Sequence, residues 1–177
     1  ETGETNGRGV VGGKAARISV AAIPVAPSEA EAEPLVHASS DLSVQTQTGV
    51  SEEFSWGLYD GAGNPSAVVL FKTDDHSIEV LINGQRTSTG QVFTTDRSYR
   101  LDMWFDRPHK TWRMMLNGVV AAEGDGYAFP GGAGVQLAAG WVPVNQGAAS
   151  GRLYFDNVRV EAVSGDLPDD EAAETDL

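Results

Sequence analysis

Residues 99–123 read YRLDMWFDRPHKTWRMMLNGVVAAE. Two runs of period-two alternation are joined by Asp106-Arg107-Pro108-His109 and closed by Asn117-Gly118, the strongest short hairpin signal in the chain. In the first run Leu101, Met103 and Phe105 share one face and Arg100, Asp102 and Trp104 the other, because successive strand side chains point to opposite sides. In the second, Trp112, Met114 and Leu116 form the apolar face, while Thr111, Arg113 and Met115 look outward. An antiparallel sheet with one buried face follows, and its outward face carries a Trp beside two arginines and an acid.

Upstream, strands are expected at 15–25, where Pro24 stops the pattern, and at 35–44 and 52–59. The last of these places Phe54, Trp56 and Leu58 on one face and Ser55, Gly57 and Tyr59 on the other. Residues 60–65 are dense turn chemistry. A nearly continuous apolar strand at 67–72 and an alternating one at 77–82 come next, then the turn Asn83-Gly84; residues 91–94 are expected to be a short link. Beyond the central hairpin, strands are expected at 135–144 and 153–163. About ten short, turn-separated strands and no amphipathic helix of useful length predict an all-β fold, a jelly-roll β-sandwich of two antiparallel sheets.

The expected organisation is an N-terminal arm or edge strand at 1–13, one sandwich domain at 14–163 and an acidic tail at 164–177, disordered if taken alone. Residues 27–34, bounded by prolines, are expected to be a polar loop or a single helical turn. With 177 residues and 41% hydrophobic content, the domain can bury a core without staples. Cysteine is absent, so disulfides say nothing about redox compartment. Seven of the 25 acids lie at 161–177 with no base among them, so roughly half of the net charge of -13 belongs to the tail. Such a chain repels phosphate, which argues against nucleic acid and anionic membrane surfaces as partners. No run of eighteen apolar residues offers a membrane span. The chain begins at Glu1 rather than Met, so a preceding segment is expected to have been removed.

From residue 54 to residue 160 the order of signals resembles the concanavalin A-like lectin/glucanase superfamily, in particular the laminin G-like jelly-roll domains of bacterial secreted and surface proteins. Three stretches carry the resemblance. SYRLDMWFD at 98–106 is similar to the family's aromatic-led strand ending in Asp, WRMMLNG at 112–118 to the strand closing on Asn-Gly, and YFDNVRV at 154–160 to the last strand. The opening strand of the family is either supplied by residues 8–11 or lost or replaced in this chain. The resemblance implies the fold and a secreted or cell-surface location. It does not imply an activity, since this fold hosts lectins, hydrolases, lyases and spacers.

Glucanases of that superfamily carry a strand motif Glu-x-Asp-x-x-Glu, which this chain lacks. Glu29, Glu31 and Glu33 alternate, but within an Ala/Pro loop without aromatic neighbours. His109 sits in a turn, a poor place for the base of a lyase, and neither a phosphate loop nor a nucleophile elbow is present. No catalytic residue is assigned. A hydrolase or lyase without the usual motif ranks third among the expected functions.

Binding of a glycan or another surface polymer ranks first. An outward Trp104 supplies a stacking ring and Arg100, Asp102 and Arg113 supply charged hydrogen-bond partners, as a sugar with hydroxyls and apolar CH faces requires; Tyr59 is a further candidate for that face. The competing placement of Trp104 is core beneath a covering loop. Trp56, Trp112 and Trp141 share phase with aliphatic neighbours and are assigned to the core.

The resemblance also implies a structural Ca²⁺ on a last-strand Asp, here Asp156 with Asn157 beside it. Asp60 with Asn64, or Asp74 with Asp75, are loop alternatives, and solvated turns account for each as well. His37, His76 and His109 lack metal spacing and are expected at solvated loop or edge positions. The second-ranked function is a structural subunit joined to copies of itself through its termini, since an arm can add a strand to a neighbour's open edge.

Overall fold

A computed structural model describes residues 2–5, 9–11, 17–24, 35–46, 51–60, 64–106, 108–126, 134–143 and 151–169. Their regular structure is all strand: β1 (Thr2–Thr5), β2 (Gly9–Val11), β3 (Arg17–Pro24), β4 (Leu35–Gln45), β5 (Glu52–Asp60), β6 (Pro65–Lys72), β7 (Ser77–Ile82), β8 (Gln85–Val92), β9 (Ser98–Asp106), β10 (Thr111–Leu116), β11 (Val119–Asp125), β12 (Gly134–Pro143) and β13 (Arg152–Val163). They form a jelly-roll β-sandwich. One sheet runs β1-β13-β4-β9-β10-β11 with β2 also on β13, and the other runs β3-β12-β5-β6-β7-β8. Every pairing is antiparallel.

The core lies between the sheets because alternation turns an apolar face of each one inward. Val36, Ala38, Leu42 and Val44 of β4, Leu101, Met103 and Phe105 of β9 and Trp112 and Met114 of β10 meet Phe54, Trp56 and Leu58 of β5, Val69 and Phe71 of β6 and Ile78 and Val80 of β7. Each fully buried Leu, Ile, Val, Phe or Met side chain here stabilises the fold by about 1.5–3 kcal/mol. Trp56 and Trp112 are core residues, as their phase required. The side chain of Trp141, like residues 27–34 and with them Glu29, Glu31 and Glu33, lies outside the described residues.

Hairpin chemistry fixes register. Asn83-Gly84 and Asn117-Gly118 each have positive φ at both positions, the type I′ requirement that favours Asn-Gly. In the second turn the backbone N–H and carbonyl of Arg100 bond Asn117, which locks the turn to β9.

Two strands depart from expectation. β8 occupies residues 85–90, where no strand is expected, and the first two residues of the expected link at 91–94; its sequence QRTSTGQV is exposed and polar almost throughout, and this edge strand is held by backbone pairing with β7, by Arg86 on the Glu53 carboxylate and by the Thr89 hydroxyl on the Ile78 carbonyl. Met115 follows an outward phase yet is only 4% exposed, since other side chains cover that face. β13 carries a β-bulge: Asp156 opposes Asp41, but the next pair is Arg159 with Ser39, one residue out of step. Asn157, at φ 50°, is the extra residue, and the Ser40 hydroxyl donates to the Asp156 carbonyl at 2.9 Å.

Candidate functional site

Opposed residues on antiparallel neighbours point to the same face, so register alone maps the outward face of the sheet containing β9. Its first rank is Glu161, His37, Trp104 and Arg113, across β13, β4, β9 and β10. The second is Arg159, Ser39, Asp102 and Met115, the third Asp156, Asp41 and Arg100, and the fourth Tyr154, Ser43 and Ser98. The bulge at Asn157 keeps both halves of β13 in phase with this face.

His37 is the hub of the first two ranks. Its ring stacks on the Trp104 indole with centroids 3.7 Å apart and planes 6° from parallel. Its Nε2 lies 2.7 Å from Asp102 Oδ1 and its Nδ1 3.2 Å from Glu161 Oε1, so both ring nitrogens face carboxylates. Arg100 donates to the Ser39 hydroxyl at 2.8 Å and lies 3.6 Å from both Asp41 and Asp102. Arg159 pairs with Glu161 at 2.8 Å. A cleft of about 420 Å³ opens here, lined by His37, Arg100, Asp102, Trp104, Met115 and Asn117 on the sheet and by Pro168 and Asp169 opposite.

Trp104 is therefore half-buried on the outward face, outside the core, with one side of its ring taken by His37. Arg100 and Asp102 stand beside it in the same cleft. Arg113 reaches this face too, but its guanidinium is engaged elsewhere: it bonds Glu123 at 2.9 Å, the Pro168 carbonyl at 2.6 Å and Asp169 at 3.1 Å. Residues 166–169, expected to be part of a free tail, thus lie across β10 and border the cleft, with Leu167 near Trp112 and Gly124. Tyr59 does not join this face. It belongs to β5 in the other sheet, 7% exposed, in a second apolar cluster with Val68 and Leu70. Alternation assigned it an outward phase correctly but could not say of which sheet.

His37 is 8% exposed on an inner strand, contrary to the solvated position expected of it. His76 stacks on Phe93, and His109 is exposed and bonds Asp106 in its turn. Asp156 accepts the Asn157 backbone N–H at 2.8 Å, while the Asn157 amide donates to Asp41 at 2.5 Å. Among the described residues no group of three or more His, Asp or Glu side chains converges to hold a metal ion. Asp74 accepts from the Asp75 N–H, and Asp75 from Ser77; Asn64 is exposed, and the Asp60 side chain lies outside the described residues.

Sequence reasoning missed His37, Tyr154 and the docked 166–169 segment. The available signal for His37 was the run His37-x-Ser39-x-Asp41-x-Ser43, a polar face on an otherwise apolar strand. Its partner Trp104 lies in a strand far along the chain, which local alternation does not reveal.

No protein-family model matches the chain, and no curated protein sequence does. Solved structures do. A sialidase superposes with a TM-score of 0.58 at 8% identity over 88% of this chain, which spans only 15% of that enzyme. An alginate lyase from Corynebacterium sp. gives 0.53 at 9% identity, over 72% of this chain and 58% of the lyase. Carbohydrate binding module CBM66 from Bacillus subtilis gives 0.50 at 12% identity, over 90% of this chain and 86% of that one. At these identities the likeness shows a jelly-roll β-sandwich and no activity.

Proposed function

We propose that this chain is a non-catalytic carbohydrate-binding module, secreted or displayed at the cell surface, whose ligand stacks on Trp104 and hydrogen-bonds to Arg100 and Asp102. The carrying observation is the His37–Trp104 stack at the wall of a cleft of about 420 Å³ lined by charged and amide groups. An indole held flat from behind presents its other side, and its orientation is fixed before ligand arrives. The likeness to a carbohydrate-binding module over most of both chains supports the same reading. Within the jelly-roll class, the Asp-ended and Asn-Gly-closed strands favour a laminin G-like module.

The non-catalytic part rests on occupancy. Glycoside hydrolysis takes two carboxyl groups flanking one bond, about 5–9.5 Å apart with substrate or water between them. For one pair of acids on this face, Asp102 and Glu161, the His37 imidazole fills the space between them and binds both. The same contacts engage both ring nitrogens of His37, which withdraws it from proton abstraction as well. The assembly alternative is weaker, since β1 and β2 pair with β13 of their own chain.

A glycan array probed with the parent protein and with Trp104→Ala tests the proposal, with circular dichroism to confirm folding and Trp104→Phe as the ring-retaining control. Binding by the parent, its loss in the Ala variant and partial retention in the Phe variant are expected. Undiminished binding by a folded Trp104→Ala protein would overturn the assignment.

A further inference from the structure

Tyr154 stands at the opposite corner of the same face. It is 41% exposed, donates its hydroxyl to Gln45 Oε1 at 3.2 Å, and walls a hollow of about 360 Å³ with Asp41, Ser43, Ser98 and Asp156. Between this hollow and the Trp104 cleft the face carries Asp41, Arg100 and Asp102, whose side chains are 35%, 38% and 17% exposed.

We propose that the ligand is a linear, neutral oligosaccharide that lies diagonally across the face, stacking on Trp104 at one end and Tyr154 at the other. This rests on the carbohydrate-binding function proposed above and adds the ligand's length and charge. Length comes from register. Trp104 opposes His37 and Tyr154 opposes Ser43, six residues along β4 and two strand spacings across. That is roughly 20 Å by 10 Å, a diagonal of about 22 Å, on the order of four pyranose rings end to end. A shorter sugar reaches one aromatic only. A longer one gains the second at high effective concentration.

Charge comes from the pairing of the face. Glu161 is held by Arg159 and His37, and Asp41 and Asp102 both lie beside Arg100. These groups keep hydrogen-bonding capacity while the two arginines offset part of the acids' field. A polyanion meets a chain of net charge -13, and a polycation must displace the salt bridges that Arg100 and Arg159 already make with Asp41, Asp102 and Glu161. A polyhydroxylated neutral chain suits both conditions.

The test is isothermal titration of the parent, Tyr154→Ala and Tyr154→Phe with neutral gluco-, manno- and fructo-oligosaccharides from disaccharide to hexasaccharide, alongside an oligogalacturonate ladder. For at least one neutral ladder the parent's affinity rises about tenfold or more between the disaccharide and the longer members. Tyr154→Ala loses that rise and keeps the disaccharide affinity, and Tyr154→Phe retains the rise. An affinity independent of length, or a Tyr154→Ala series overlaying the parent's, overturns the two-ended ligand and leaves Trp104 as the binding site. Tighter binding of galacturonate overturns neutrality. Failure of every ladder to bind the parent overturns both this inference and the function it rests on.

Discussion

The His37 imidazole lies flat against the Trp104 indole, and the same ring bridges Asp102 and Glu161. Replacing it has two consequences. His37→Ala removes the stack, worth about 0.5–1.5 kcal/mol, and strips two carboxylates with 17% and 14% exposed side chains of their shared donor, at about 1–3 kcal/mol. A fall of about 2–4 kcal/mol in urea unfolding is expected, with His37→Phe falling less because the stack survives. Equal stability of His37→Ala and the parent would show that the bridge is idle.

Arg113 is the anchor of the 166–169 segment, and its contacts differ in weight. The Asp169 side chain is 97% exposed, so its ion pair is worth about 0–1 kcal/mol, whereas the bond to the Pro168 carbonyl engages a half-buried residue. Hydrogen exchange by mass spectrometry should show faster exchange at 166–169 in Arg113→Met and little change in Asp169→Asn. Matching exchange in Arg113→Met and the parent would mean that Leu167 alone secures the segment.

Gly57 is fixed by space. A Cβ there meets the Ala67 carbonyl oxygen and comes within 2.6 Å of Val68 Cα, both backbone atoms of β6. Gly151 is similarly confined, by the Glu52 carboxylate that accepts its N–H and by the Gln45 carbonyl at 2.9 Å. Ala at either position forces strand separation and costs about 1–3 kcal/mol or more, with Gly57 the worse because neither clashing atom can rotate away. Thermal melts of the two variants check the order.

Lys72 lies 3.6 Å from Glu79 and 3.8 Å from Asp75, and chiefly the Glu79 charge raises its ammonium above the ordinary 10.5. A raised value means that the pair's stabilisation is fully present below the ordinary lysine range and is lost as pH rises through the folded value. Lys72→Met should therefore melt slightly below the parent at neutral pH, and the gap should close in strongly alkaline buffer. A gap that persists there would point to lost packing of the lysine stem instead.

Most strands and both faces of the central hairpin were legible because a half-buried strand writes its environment into every second residue: Leu101, Met103 and Phe105 announce the core, and Arg100, Asp102 and Trp104 the outside. β8 was not, since an exposed edge strand has no buried face to alternate with; main-chain bonds to β7 and the Arg86–Glu53 pair hold it. The site was half legible. Trp104, Arg100 and Asp102 sit on one strand and could be placed together, but His37 and Tyr154 reach them only through inter-strand register. Tyr59 failed for the same reason, since phase along a strand does not name the sheet.

The bulge at Asn157 extends this point to how such a protein changes over generations. Without the extra residue, Tyr154 and Asp156 would occupy the phase of Leu153 and Phe155 and point into the core. Gain or loss of one codon there, together with a swap of polar and apolar neighbours, would convert a face with two aromatic stations into a face with one while leaving Trp104, His37 and Arg100 untouched. Under the proposed two-ended binding, preference for long or short ligands is heritable separately from the ability to bind at all, and variation in it should be sought in strand register before contact residues.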